Sequence, residues 1–211
     1  RAAAEAFFVA GTNRAMFRFT LLNHMCVDLE QVQDTTRIPD RIRQDVSRSP
    51  GGDSRIFMNS CISCHSGMDP LAGAFAYYNF NEGSGQLEYT ADDVQEKYRI
   101  NSDNFEFGYV TVDDSWKNYW RTGPNQWLGW EAGMPDEGIG AASMGREMAH
   151  SEAFAQCHVK KVFKTVCLRE PSDADDRGQI SAMVGQFNQN HDLKEQFKLA
   201  AVHCMGDEET N

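Results

Sequence analysis

The stretch Cys61-Ile62-Ser63-Cys64-His65, continuing Ser66-Gly67-Met68-Asp69-Pro70-Leu71, decides how the rest of the chain is read. Two cysteines three residues apart put both sulfurs on one turn of helix, within reach of two vinyl carbons on one edge of a porphyrin. The histidine after the second cysteine then lies under the ring, where an imidazole nitrogen can bind iron. The motif therefore predicts one covalent haem c, anchored through Cys61 and Cys64 with His65 as metal ligand. The same residues have two other uses, as a thioredoxin-like redox pair or as half of a zinc site. A redox pair normally sits at a strand-to-helix turn within alternating strands and helices, a pattern not evident here. A zinc site wants a second close Cys/His pair, and only Cys157-His158 comes near that, in mid-helix.

Four cysteines remain: Cys26, Cys157, Cys167 and Cys204. An even remainder, in a chain whose haem would be attached outside the cytoplasm, suggests two disulfides and a periplasmic or extracellular location. Cys157 and Cys167 fall on one predicted helix about 15 Å apart, too far to bond. Two pairings are left, Cys26–Cys157 with Cys167–Cys204, or Cys26–Cys167 with Cys157–Cys204. The first is favoured, because successive antiparallel helices return Cys204 to the end where Cys167 lies.

The 211 residues suffice for one sizeable domain or two small modules, and the formal charge is −11. That charge argues against nucleic acid and anionic membrane as partners. It favours a redox partner protein with a basic docking face, provided the acidic residues cluster. The most apolar stretch, from Ala15 to Cys26, is broken by Arg18, Asn23 and His24, so no membrane span is expected. The chain opens at Arg1 in mid-helix pattern, as a processed product or a piece of something longer would.

Periodicity predicts helix over 2–25, interrupted near Gly11-Thr12, then a long polar connection over 27–53 with a short helix at 40–46. The attachment helix covers 56–65. Asp69-Pro70 reads as a fresh helix start continuing to Phe80, with Asp as cap and Pro in the first turn. Segments 86–90 and 107–112 are β-like and are expected to pair as a hairpin around a long loop. Asp113-Asp114-Ser115 is expected to cap a short helix with Trp116, Tyr119 and Trp120. A loop rich in Gly and Trp follows over 122–140. The tail reads as helices over 141–150, 152–168, 172–188 and 192–203, with Ser172-x-x-Asp175 as a capping box. The fold class is thus mainly α: a cytochrome c-like haem module with a small β hairpin over 1–140, and a helical module over 141–211 packed on it.

Asn59 to Leu71, the aromatic run to Tyr78 and Gly83 resemble the haem-bearing module of planctomycete-type cytochrome c proteins, which carry a CxSCHxxxDPL signature. Ser151-Glu152-Ala153-Phe154-Ala155-Gln156-Cys157 through Arg169, with the acidic spacer and final helix beyond, resembles their helical end module. The resemblance covers most of the chain after about Asn13 and implies a monohaem cytochrome.

A six-coordinate carrier needs a ligand on the other face of the iron. Met134, in a Gly-Met-Pro loop after an aromatic segment, is the leading candidate. Met144, Met148, His150 and His24 follow. Trp127 and Trp130, with Trp116 and Trp120, are expected to wall the porphyrin, the alternative being a separate aromatic core. Arg55 or Arg121 would pair with a propionate. The expected function is single-electron transfer outside the cytoplasm. The alternatives are a haem-containing accessory subunit of a larger assembly, and an open-site haem peroxidase or oxidase. No hydrolase, phosphate-loop or zinc-protease motif occurs, and no acid/base pair can be argued from the paired aspartates.

Overall fold

The computed structural model describes residues 2–9, 13–42, 54–99 and 108–206. Among them the chain is mainly α-helical, with two small two-stranded antiparallel sheets. Helices α1 (Ala2–Phe8) and α2 (Arg14–Thr20) come first, and α2 runs into a π-helical turn at Leu21–Met25. Helix α3 (Ser54–Ser60) leads into α4 (Ile62–Ala72). Strands β1 (Tyr78–Asn81) and β2 (Gln86–Tyr89) follow, and β3 (Ser115–Lys117) pairs with β4 (Glu137–Ile139). Four helices close the chain: α5 (Gly140–Ala149), α6 (Glu152–Cys167), α7 (Ala174–Asn190) and α8 (Leu193–Met205).

The helical tail follows its sequence pattern closely. Val159, Val162 and Phe163 of α6, Ile180, Met183, Val184 and Phe187 of α7, and Ala200 of α8 fall at helical spacing and bury together. The Ser151 hydroxyl caps α6 by accepting from the Phe154 amide, and Asp192 caps α8. The cap of α7 is displaced by one residue from the expected box. Asp173 accepts from the Asp176 amide, while Ser172 donates its own amide to the Asp176 carboxylate.

A second core gathers Phe17 and Leu21 with Met68, Leu71, Phe75, Trp116, Trp120, Leu128, Met144 and Met148. Buried Asn13 fastens its edge. With φ of 56°, its amide nitrogen donates to the carbonyls of Phe75 (2.7 Å) and Tyr78 (2.9 Å), and its oxygen accepts from Lys97. Both disulfides follow the favoured pairing, Cys26–Cys157 and Cys167–Cys204, with Cα separations of 5.3 and 5.4 Å. The first ties the turn after α2 to α6, and the second ties the end of α6 to the end of α8.

Several local expectations are corrected. No helix starts at Asp69: α4 passes through Pro70, and Asp69 is turned into an ion pair instead of a cap. The predicted strand at 86–90 forms, yet its partner is β1 across a tight turn, in the register Tyr78–Tyr89 and Phe80–Leu87. Tyr109, from the expected partner, instead donates its amide to the Ile42 carbonyl. Ser115–Lys117 is strand, and Tyr119–Arg121 is a single 3-10 turn whose Trp120 amide is capped by Asn118. The short helix expected at 40–46 and the breaks at Gly11-Thr12 and Gly51-Gly52 lie outside the described residues, wholly or in large part.

Candidate functional site

The thiols of Cys61 and Cys64 are free, and each is partly buried. They sit where α3 passes into α4 with little break. The Cys61 amide donates to the Phe57 carbonyl at 2.9 Å, and the Cys61 carbonyl accepts from the His65 amide at 3.2 Å. Helical hydrogen bonding therefore runs through the motif, although Cys61 itself departs to φ −115°. Three residues along a helix bring the two Cα atoms to about 5 Å, within the span a disulfide bridges.

The two thiols have different surroundings. Cys61 and Ile62 pack against buried Ile42 and Phe57. Cys64 reaches the other way, its Sγ donating toward the Leu29 carbonyl at 3.8 Å. Burial pushes the Cys64 thiol up from its ordinary value. The Ser63 contact opposes that shift, while Cys61, Glu30 and Asp28 add to it.

Below the thiols, His65 Nδ1 lies 2.9 Å from Asp69 Oδ1. Asp69 is buried, and Arg14 of α2 grips it in a fork, Nε to Oδ1 at 2.9 Å and Nη2 to Oδ2 at 3.1 Å. The His65 and Phe57 rings meet in a T-shaped pair, with centroids 4.9 Å apart and planes inclined at 68°. Of these partners, Asp69 was visible in the sequence and was read as a helix cap. Arg14 carried no local signal.

The haem expectation is corrected here. Among the described residues no group of three or more His, Cys, Asp or Glu side chains stands together in a way that could hold a metal ion. His65 Nδ1 and the Cys64 thiol are turned to protein partners, and the other four cysteines are spent in disulfides. The covalent haem c, the monohaem electron carrier and its haem-based alternatives, and the resemblance to planctomycete-type cytochromes are therefore not carried forward. No family model matches the chain, and neither a curated protein nor a solved structure matches it.

The remaining expected site residues are dispersed. Met134 sits half-buried in a turn where its own amide donates to the Glu131 carbonyl. Trp127 is 54 % exposed. Trp130 packs against the larger core and donates its indole N–H to the Trp120 carbonyl. Trp116 and Trp120 lie inside that core with Met144 and Met148. His24 stacks on His158, and His150 lies beside His191 with the rings tilted by 59°. Arg121, considered for a propionate, forks onto buried Glu147 at 2.7 Å, and Arg55 is exposed. No described helix is long and apolar enough to cross a membrane. A cleft of about 440 Å3 between α6 and α7 is lined by Glu152, Gln156, Lys160 and Arg177 among others, with no residue of α4. It shares no group with the thiols.

Proposed function

We propose that Cys61 and Cys64 form a dithiol that exchanges electrons with disulfides. The observation that carries this reading is a pair of free thiols one helical turn apart, in a chain whose other four cysteines are already bonded. A protein that keeps two stable disulfides belongs to an oxidising compartment, periplasmic or extracellular, where an adjacent thiol pair persists as a reactive or regulated group.

The balanced step needs one co-reactant, a disulfide on a protein or small thiol. The Cys61 thiolate attacks one sulfur of that disulfide, whose S–S bond breaks, and the departing sulfur takes up a proton. Cys64 then attacks Cys61 Sγ, releasing the second thiol and leaving Cys61–Cys64 bonded. Two electrons pass to the partner, and the reverse sequence returns them. Cys61 is the attacking group because His65 follows it by four residues, one turn on, with its amide bonded to the Cys61 carbonyl. Cys64, its thiol raised by burial, stays protonated until the mixed disulfide brings its target close. The acidic charge of −11 favours a partner with a basic face, if the acids cluster near α4.

Intact mass and alkylation across a series of glutathione redox buffers test this. The expected result is reversible loss of two hydrogens, with two alkylatable thiols in the reduced form and none in the oxidised form. Substituting Cys61→Ser should leave a single thiol and abolish the intramolecular oxidation. A chain that never loses the two hydrogens overturns the reading. So does a coloured protein in which a covalent adduct holds both sulfurs in thioether bonds.

A further inference from the structure

Cys61 stands at the N-cap of α4, its carbonyl accepting from the His65 amide at 3.2 Å, and His65 and Asp69 follow at intervals of four, a thiol, an imidazole and a carboxylate in that order. The last two are fixed tightly. Asp69 is 1 % exposed, and Arg14 takes up both its oxygens from α2. A carboxylate gripped in this way only accepts hydrogen bonds, so the proton on the neutral imidazole belongs on Nδ1, facing Asp69. Nε2 then carries the lone pair. Buried Phe57, packed against the imidazole, opposes a flip that would exchange the two nitrogens.

We infer that Asp69, clamped by Arg14, is a positioning residue that holds His65 in the tautomer needed to accept the Cys61 proton. The inference rests on the thiol reading above and adds how the proton is handled. His65 Nε2 removes the Cys61 proton as the thiolate forms. It returns that proton to the sulfur released from the partner disulfide. A base oriented by a buried carboxylate is the arrangement that activates weak nucleophiles in many unrelated folds. Here His65 and Asp69 come from one helix with Cys61 at its N-terminal end, and Arg14 is supplied by another.

The test follows iodoacetamide alkylation of Cys61 from pH 5 to 9 in a Cys64→Ser protein. Asp69→Asn presents an amide N–H where the carboxylate offered a lone pair, and should slow alkylation at pH 7 by roughly ten- to a hundredfold. His65→Gln should slow it to a similar degree, and the double variant no further, because Asp69 acts through His65. Losses that multiply, or an Asp69→Asn profile that overlays the parent, overturn the inference. Should Asp69→Asn fail to fold, the 15N resonances of His65 in the unaltered protein decide. Protonated Nδ1 with bare Nε2 supports the inference, and the opposite tautomer sinks it. The thiol reading fails separately, through a Cys61 that cannot be alkylated at any pH or oxidised to a disulfide with Cys64.

Discussion

Gly67 shows how much of the site depends on single atoms. The Trp120 indole brings its Nε1 side against α4, so that a Cβ added at Gly67 would stand 2.0 Å from Nε1 and 2.6 Å from Cε2. The ring is buried, and its Nε1 is without a hydrogen-bond partner, so it is held against the helix by packing. Gly67→Ala should therefore cost about 1–3 kcal/mol, the usual range for overpacking a close contact. Urea unfolding measures it; a change under about 0.5 kcal/mol, typical of a harmless surface substitution, would mean that the indole is free to move. Residue chemistry was only half legible from the sequence. The Cys-x-x-Cys-His string announces two neighbouring sulfurs and an imidazole but does not say what they face. Asp69 ahead of Pro70 has the form of a helix start, and only Arg14, 55 positions earlier, turns it into a buried anion beneath His65.

At the level of elements, the tail was readable because its helices are long and amphipathic and carry their own caps. The region from β1 to β4 was legible only at β2. Its strands are three or four residues long, too short for alternation to show, and its 3-10 turns are also held from afar, through Asn118 on Glu147 and Asn125 on the Val32 carbonyl. Within the tail, the Cys167–Cys204 bond closes a separation of 37 residues around α7. Replacing both cysteines by serine should cost about 4 kcal/mol by the loop-entropy relation. Hydrogen exchange should show α7 and α8 opening before the rest. Asp176 contributes a separate, acid-sensitive constraint at the same end. It is buried and accepts from Arg169, from His203 Nε2 at 2.8 Å and from the Ser172 amide at 2.8 Å. The Arg169 fork, then His203 and that amide, hold its carboxyl well below the usual carboxylate range. A carboxyl depressed on folding stabilises the fold above the unfolded value near 3.8 and loses that contribution as pH falls further. Stability measured from pH 5 down to pH 2 should therefore drop, and Asp176→Asn should flatten the drop while lowering the plateau. An unchanged slope in the variant would assign acid sensitivity elsewhere.

Across the whole molecule the described residues form two main cores that meet at one seam. The Cys26–Cys157 bond crosses it, and beside that bond the His24 ring lies over His158 with centroids 5.6 Å apart. Lys161 also crosses it, donating to the Asn23 carbonyl. This seam is where pH should act on the molecule as a unit. His158 is half-buried among Phe154, Phe187 and His24. Burial, then the proximity of His24 and Lys161, pushes its imidazole down to about 4. The sign follows from linkage. A histidine whose basicity falls on folding is protonated first in the unfolded chain, so its neutral form favours the fold fully above the unfolded value near 6.5. Lowering pH from 6.5 to 4 should erode stability progressively, and below about 4 this contribution levels off, which separates it from the Asp176 effect. The expected readout is a falling urea midpoint across that window, accompanied by faster amide exchange in α6 next to the turn at Leu21–Met25. His158→Phe keeps the aromatic stack and removes one of its two titrations, so its midpoint should fall less steeply between pH 6.5 and 4, the remaining slope coming from His24, whose basicity burial also lowers. A variant that loses stability as steeply as the parent would place the acid response outside this seam.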